Sequence, residues 1–240
     1  MFLDAGNTLL QIDYSVLAEV VSSAQPGVRP ETLRVAEWAA RLRLDATLGR
    51  SAPAESIEPA RRPSTESYAV FRRFMTMIFE EADLELTGEA LERALDELED
   101  YHRTHNLWGR PHPFAARVLA DLKGLGVKLA VVSNSGGDLE ALLDRHGLRQ
   151  DLDAILDSTV VGFEKPDPRI FLLAAEKLGV APTAAVHVGD LHGVDVVGAR
   201  AAGVEPVLID PANLWPQTDC IKIRDLTAIP DLVRRARSIP

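Results

Sequence analysis

Residues 184–210 read AAVHVGDLHGVDVVGARAAGVEPVLID, and the pattern of this segment predicts the fold class. Segment 184–190 is short and mostly apolar, which predicts a buried strand. An Ala-rich helical segment follows and ends at Gly203, and residues 205–210 then predict another strand. A strand, a helix and a strand in this order form a βαβ unit, which joins two parallel strands.

The same alternation begins near residue 113. Residues 127–133 (VKLAVVS) are nearly all apolar, as expected for a strand buried on both faces of a sheet. Residues 154–157 (AILD) predict a further strand, and Asp167 followed by proline predicts the start of a helix that ends at Gly179. The repeated units predict an α/β fold: a Rossmann-like parallel sheet with helices on both faces.

Residues 14–110 have a different pattern. They contain almost no β-branched runs and no Lys, and apolar residues recur at helical spacing. Four helices are predicted, near 15–24, 31–48, 65–82 and 88–104, with a Pro-containing loop over 49–64. We therefore expect a helical domain, 14–110, inserted into an α/β core made of residues 1–13 and 111–240.

The bulk composition restricts the function. The 240 residues carry a net charge of -10, which disfavours non-specific binding to nucleic acid or to anionic membranes. Cys220 is the only cysteine, so we expect a reducing compartment. The apolar runs fall short of the roughly 20 residues that a membrane span needs. We expect a cytoplasmic protein without a signal peptide, although the short first strand suggests that the native chain could begin upstream of Met1.

Polar residues follow several of the predicted strands. Asp4 ends the first strand, Ser133 ends the strand over 127–133, and Asp190 and Asp195 follow segment 184–190. Lys165 immediately precedes a proline near the start of a helix. Ligands of open α/β sheets bind beyond the carboxyl ends of the strands, so these groups are candidates for one shared cleft.

The charges of such a cleft do not balance. Three carboxylates against one ammonium leave a negative site, and oxygen ligands alone favour Mg²⁺ as the balancing cation. With Mg²⁺ and Lys165 in place the cleft would attract a phosphate group. Ser133 can offer a hydroxyl, and Asn134 and the residues after it can offer main-chain N–H groups to phosphate oxygens. Asp4 could then attack phosphorus.

The order of these residues resembles the haloacid dehalogenase-like hydrolases, and the resemblance covers essentially the whole chain. The long strings around Lys165 and Asp190 carry most of its specificity. The four motifs of that superfamily match, in order, Asp4 with Thr8, Ser133 in VVSNS, Lys165 in GFEKPDPRIF, and Asp190 with Asp195 in HVGDLHGVDVVGARAAG.

The resemblance implies roles for these residues. Asp4 would be the nucleophile that forms an aspartyl phosphate. Asp4, Asp190 and the main-chain carbonyl of Gly6 would hold Mg²⁺, with Asp195 in support. Lys165 would steady both Asp4 and the phosphate. The helical insertion is similar to a C1-type cap, and the expected partner is a small phosphorylated metabolite.

Gly6 departs from the pattern of the superfamily's phosphatases, which carry a second Asp two residues beyond the nucleophile. Glycine keeps the main-chain carbonyl and has no side chain to protonate the leaving oxygen or to activate water. General acid–base catalysis contributes about 10²–10⁴-fold in rate. We therefore expect slow turnover of alkyl phosphates and less impairment for aryl or acyl phosphates.

Three hypotheses follow. The first is a Mg²⁺-dependent phosphatase in which water or a residue such as His192 compensates for Gly6. The second is a phosphate- or metabolite-binding protein that has lost turnover. The third is a dehalogenase-like hydrolase without a metal requirement, against which Asp190 and Asp195 argue. Phosphonate-cleaving members use a cap lysine, and the helical segment has no Lys, which argues against that reaction.

His187, within a buried strand, is interpreted as structural.

Overall fold

The computed structural model describes residues 1–50, 64–65, 67–215 and 218–238. Residues 51–63, most of the loop predicted over 49–64, lie outside the described residues. The chain divides into two compact units. One is Met1–Gln11 together with Pro111–Pro240, and the other is Ile12–Arg110.

The described strands are short and are numbered in chain order. They are β1 (Phe2–Leu3), β2 (Leu10–Gln11), β3 (Arg110–Pro111), β4 (Ala130–Ser133), β5 (Ala154–Asp157), β6 (Val186–Gly189), β7 (Glu205–Ile209) and β8 (Ile221–Ile223). Among the described residues, six of them form one sheet in the order β5-β4-β1-β6-β7-β8, and β2 pairs with β3. Each neighbouring pair in the six-stranded sheet is parallel, which confirms the predicted fold class.

The described helices include those on either side of this sheet and those of the second unit. They are α1 (Tyr14–Ser22), α2 (Pro30–Arg50), α3 (Tyr68–Glu81), α4 (Gly88–His105), α5 (Ala115–Gly124), α6 (Leu139–Arg145), α7 (Ser158–Val161), α8 (Pro168–Leu178), α9 (Val197–Ala201) and α10 (Ile229–Arg237).

The sheet has an apolar cluster on each face, because successive side chains of a strand point to opposite faces. Leu3 belongs to one cluster, together with side chains of α5, α6 and α10. Phe2 belongs to the other, together with side chains of α8 and α9. Both residues are fully buried. Helices therefore cover both faces, as predicted for a parallel sheet.

Local sequence signals place several elements correctly. Asp167 caps α8 by accepting a hydrogen bond from the main-chain N–H of Arg169 at 2.9 Å, with proline at the first helical position. Gly179 ends the same helix at φ +60°, a left-handed conformation that glycine adopts without strain. These observations confirm the predicted bounds of this helix.

The helix predicted after β6 is only partly correct. One turn of π-helix occupies His192–Val196, and the α-helix that follows, α9, is limited to Val197–Ala201. Asp195 lies within the π-helical turn, and its carboxylate bonds back to the chain just after β6. Turns of this kind are frequent at functional sites. Strand β8 was not predicted, since three residues give too short a pattern to detect.

The helical unit contains α1 to α4, close to the four predicted helices. Arg72 of α3 contacts three carboxylates of α4, those of Glu92, Asp96 and Glu99. These contacts tie the two helices together on their polar side. Among the residues that the structure describes, no helix combines the length and the apolar character needed to cross a bilayer.

Candidate active site

Asp4 follows β1, the strand at which the strand order of the sheet reverses. The chain continues from β1 to β4 and β5 on one side, and β6 to β8 lie on the other. Crevices at the carboxyl end of such a switch point are the usual ligand sites of open α/β sheets. The main-chain N–H of Asp4 donates to the carbonyl of Val188 at 2.8 Å, and only 6 % of Asp4 is exposed.

Lys165 connects two of the predicted carboxylates. Its Nζ donates to Oδ1 of Asp4 at 2.6 Å and to Oδ1 of Asp195 at 2.7 Å. The residue is 3 % exposed. Burial alone would favour the neutral amine, but the two carboxylates outweigh it and raise the pKa of Lys165 above its usual range. The two carboxylates therefore stabilise the charged form of Lys165 beside Asp4.

Asp195 accepts four hydrogen bonds. Its Oδ1 accepts from Lys165 and from Nε2 of His187, the latter at 2.9 Å. Its Oδ2 accepts from the main-chain N–H groups of Asp190 and Leu191 at 3.1 and 3.0 Å. Burial opposes ionisation, yet Lys165 and His187 hold the pKa of Asp195 below its usual range. Asp195 is thus an ionised group whose oxygens are already occupied by donors.

Gly189 makes this arrangement sterically possible. A Cβ atom built at Gly189 would lie 2.2 Å from Cγ of Asp195, far inside any van der Waals contact. The carboxylate of Asp195 therefore packs directly on the main chain at the end of β6.

The arrangement fits a divalent cation. Ligand oxygens of Asp4, Asp190 and Asp195 lie within 4.8 Å of one another, and all three residues are buried. Burial raises the pKa of Asp4 against the opposing effect of Lys165, and the carboxylate of Asp195 adds to the rise. Among the described residues, Oδ2 of Asp4 accepts no hydrogen bond. Buried carboxylates of this kind are stabilised by a hard cation with oxygen ligands.

Asn7, which the sequence analysis did not single out, contacts this cluster. Its Nδ2 donates to Oδ2 of Asp190 at 3.1 Å, and its φ of +54° is one that asparagine tolerates better than most residues. Asn7 directly follows Gly6, so the segment after Asp4 reaches Asp190 through an amide. The role of the Gly6 carbonyl as a metal ligand stays a prediction.

Ser133 ends β4, and Asn134 after it holds the segment that carries Lys165. Oδ1 of Asn134 accepts the main-chain N–H of Lys165 at 2.7 Å, and its Nδ2 donates to the carbonyl of Lys165 at 3.0 Å. The side chain of Asn134 thus bonds to both the N–H and the C=O of Lys165, as the main chain of a neighbouring strand would. Ser133 is buried, and its hydroxyl makes a long contact of 3.3 Å with the carbonyl of Asn134. Their predicted roles in phosphate binding stay predictions.

The segment after Asn134 is anchored from the end of β5. Oδ2 of Asp157 accepts the main-chain N–H groups of Gly137 and Leu139 at 3.0 and 3.3 Å. The hydroxyl of Thr159 donates to the carbonyl of Ser135 at 2.6 Å. These bonds fix the path of the candidate phosphate loop between β4 and α6.

His187 and Asp157 were not predicted as site residues. The histidine had one available signal, since it is the only polar side chain in an apolar strand sequence. Asp157 had a weaker one, a carboxylate at the end of a predicted strand. His192 lies in the π-helical turn and is half-buried. Arg200 is the main cause of the lowered pKa of Asp219, and His192 adds a smaller electrostatic contribution.

The chain matches known proteins over nearly its whole length. Residues 1–203 match a family model described as haloacid dehalogenase-like hydrolase. A phosphoserine phosphatase from Thermus thermophilus is 34% identical over 244 residues, which cover 97% of this chain and 93% of that protein.

Two solved structures share the fold. A HAD phosphatase from Thermococcus onnurineus is 25% identical with a TM-score of 0.56, covering 97% of this chain and 96% of its own. L-2-haloacid dehalogenase from Xanthobacter autotrophicus is 25% identical with a TM-score of 0.55, covering 97% of each chain. The fold, the full-length relative and the family model agree. The chain belongs to the haloacid dehalogenase-like hydrolases and is an enzyme of that family.

Proposed function

We propose that this enzyme is a Mg²⁺-dependent phosphatase that acts on a small phosphorylated metabolite through an aspartyl phosphate on Asp4. The observation that carries the proposal is the buried bridge of Lys165 between Asp4 and Asp195, beside Asp190. It places the ammonium of Lys165 against the carboxylate of Asp4, whose second oxygen has no donor among the described residues. The name of the full-length relative, phosphoserine phosphatase, supports phosphate esters as the substrate class.

The side chains divide the chemistry between them. Oδ2 of Asp4 attacks phosphorus while Oδ1 stays bonded to Lys165, which keeps the carboxylate oriented. The phosphorus–oxygen bond of the ester breaks, and the leaving oxygen takes the electron pair. Lys165 balances the negative charge of the phosphoryl group. Water then attacks phosphorus, and the carboxylate of Asp4 is released together with inorganic phosphate.

Asp4, Asp190 and the carbonyl of Gly6 would hold the Mg²⁺. The ion would supply positive charge to the phosphoryl oxygens, which lowers the barrier for attack by an anionic nucleophile. Asp195 is assigned a supporting role because its oxygens already accept four hydrogen bonds. The nearby main-chain N–H groups after Ser133 would contact the phosphate from the other side.

Turnover is proposed to be slow because the α/β unit offers no evident acid or base next to Asp4. Within its described residues, the ammonium of Lys165 bonds two carboxylates, and Asp195 is saturated. His187 is fully buried and bonded to Asp195. Asp190 is assigned to the metal. For an aryl phosphate, whose leaving group needs no proton, hydrolysis of the aspartyl phosphate is then the slow step and the phosphoryl enzyme accumulates. For an alkyl phosphate, departure of the unprotonated leaving oxygen is slow as well.

The Gly6→Asp variant tests this proposal. We expect its steady-state rate on an alkyl phosphate to rise at least about tenfold, since a general acid–base group contributes about 10²–10⁴-fold. A burst of p-nitrophenolate from p-nitrophenyl phosphate, close to one equivalent in the wild type, should shrink in the variant. Gly6→Asn is the matched control, because it adds similar bulk without an ionisable proton and should give no increase.

An equal response of Gly6→Asp and Gly6→Asn would contradict the acid–base explanation. Brisk wild-type turnover of alkyl phosphates would show that another group, such as His192, supplies the proton. Phosphate release that is independent of Mg²⁺, or that survives Asp4→Asn, would contradict the phosphatase mechanism itself.

A dehalogenase-like activity is the second candidate, since Gly6 suits it and a 2-haloacid dehalogenase shares the fold. Halide release from a 2-haloacid without Mg²⁺, in the absence of phosphatase activity, would favour it. Binding of Mg²⁺ and phosphate without turnover of either substrate would favour a binding protein.

The cytoplasmic location, expected from Cys220 as the only cysteine, stays a prediction.

A further inference from the structure

His187 occupies an unusual place for a polar side chain. It lies in the middle of β6, paired in register with Phe2 of β1 and Pro206 of β7. None of its surface is exposed, and its ring contacts Phe171 edge-on with centroids 4.9 Å apart. Bulk solvent therefore does not reach the imidazole.

One ring nitrogen of His187 is bonded and the other is not. Nε2 lies 2.9 Å from Oδ1 of the ionised Asp195, so Nε2 carries the proton and donates it. Nδ1 is then an acceptor, and it has no partner among the described residues. A buried polar atom without a partner destabilises a fold. An aliphatic residue would fill this apolar position without that penalty, so packing alone does not explain a histidine here.

We propose that His187 is a positioning residue: its Nε2–H fixes the carboxylate of Asp195, and Asp195 in turn holds the ammonium of Lys165 on Asp4. The inference rests on the proposed function in taking Asp4 as the nucleophile. His187 itself does not reach the reacting atoms, since it contacts Asp195 and not Asp4.

The distribution of donors on Asp195 explains why the imidazole matters. Oδ2 is held by two main-chain N–H groups, whereas Oδ1 accepts only from Lys165 and His187. Without the imidazole donor, Oδ1 would attract the ammonium of Lys165 more strongly. Lys165 would then move its charge towards Asp195 and away from Asp4, which it also bonds.

Three variants separate this role from packing. His187→Leu removes the donor and the unpartnered acceptor together, so we expect kcat to fall about tenfold or more with little change in thermal midpoint, as for other second-layer donors. His187→Gln can place an amide N–H near the position of Nε2 and should restore most of kcat. Phe171→Leu is the packing control, and we expect a lower thermal midpoint with kcat within about twofold of wild type.

A second measurement does not depend on turnover. Long-range ¹H–¹⁵N correlation spectra should show a neutral His187 ring with a protonated Nε2 and an unprotonated Nδ1. The protected ammonium signal of Lys165 should shift or exchange faster in His187→Leu and recover in His187→Gln. The signal of His187 is assigned by its loss in either variant.

Several results would overturn the inference. They are a ring protonated at Nδ1 or at both nitrogens, a Lys165 signal indifferent to His187→Leu, and equal kcat losses in the Leu and Gln variants. A wild type that releases no phosphate but shows the expected spectra would contradict the phosphatase proposal and leave the orienting role of His187 intact.

Discussion

At the scale of single residues, the site depends on Gly189 because this residue has no side chain. Gly189 precedes Asp190 and leaves room for the carboxylate of Asp195 against the strand. The nearest atoms that a Cβ would meet all belong to that carboxylate, at 2.2 to 2.6 Å. A methyl group at Gly189 would displace the carboxylate of Asp195. Because Asp195 bonds to Lys165 and Lys165 bonds to Asp4, the displacement would also affect Asp4.

We therefore expect Gly189→Ala to lower kcat/KM at least about tenfold and to destabilise the fold by about 1–3 kcal/mol, as for overpacked interiors. Phosphatase kinetics and urea unfolding measure the two effects. Gly124→Ala is the matched control, because nothing lies within 4 Å of its added Cβ. Gly124 ends α5, where alanine is the better helix former, so this control should be neutral or slightly stabilising. If Gly189→Ala and Gly124→Ala had the same kcat/KM and the same stability, Asp195 would not pack closely on β6.

The predictability of individual residues follows from their chemistry. Asp4 and Asp190 could be proposed from the sequence because carboxylates at the ends of apolar strands stand out from their surroundings. Lys165 and Asp195 could be proposed because the sequence around them resembles the motifs of the haloacid dehalogenase-like hydrolases. The hydrogen bonds of Asn134 to the main chain of Lys165 could not, since the two residues are 31 apart and only the folded sheet brings them together.

At the scale of elements, the loop between β4 and α6 takes its shape from the end of β5. Asp157 caps α7 through the main-chain N–H of Thr159 at 3.0 Å. Its other oxygen accepts from Gly137 in the loop and from Leu139, the first residue of α6. The carboxylate thus stabilises one helix and fixes one loop. Its loss should affect stability and phosphate binding separately.

We expect Asp157→Ala to lower stability by about 1 kcal/mol, the usual contribution of a helix cap, and to raise KM for phosphate esters severalfold with a smaller effect on kcat. Asp225→Ala is the control: Asp225 also caps a helical turn, through the N–H of Thr227 at 2.8 Å, and does not contact the loop. Its variant should lose similar stability with KM unchanged. A normal KM in Asp157→Ala would exclude the loop as a phosphate contact.

Elements with local start and stop signals were predictable from the sequence. Strand β5 and helix α8 appear at the predicted residues, because a buried apolar run and an Asp-Pro cap act locally. The π-helical turn at His192–Val196 did not appear in the prediction. In this turn the carboxylate of Asp195 accepts hydrogen bonds from the main-chain N–H groups of Asp190 and Leu191, and helical periodicity in the sequence does not reveal such bonds.

At the scale of the whole molecule, the fold concentrates negative charge at one buried place. Three carboxylates and one ammonium meet at the carboxyl end of the sheet. A neutral His187 does not change the balance. In the folded state the three carboxylates therefore repel one another at short distance, whereas in the unfolded chain they lie far apart. A bound cation would offset this repulsion.

Removal and return of the metal test this consequence. We expect Mg²⁺ to raise the stability of chelator-treated protein by about 2.7 kcal/mol at one hundred times its Kd, and NaCl of equal ionic strength to raise it far less. Thermal unfolding monitored by circular dichroism gives the shift. Asp190→Asn should abolish the response to Mg²⁺ and be at least as stable as metal-free wild type, because it removes one repelling charge. A destabilised, Mg²⁺-responsive Asp190→Asn would contradict the charge argument.

Local patterns in the sequence were enough to predict the α/β class, the helical segment inserted after the first strand, and the carboxylates at strand ends. These follow from hydrophobic periodicity, from caps and from charges at strand ends, all of which act between residues close in the chain. Three side-chain contacts could not be predicted, because they depend on the tertiary structure. They are the bond of Lys165 to Asp195, the bonds of Asn134 to Lys165 and the bond of His187 to Asp195. Such partners are set by strand order and side-chain direction, because hydrogen bonds between distant residues depend on positions in space and leave no periodic pattern in the chain.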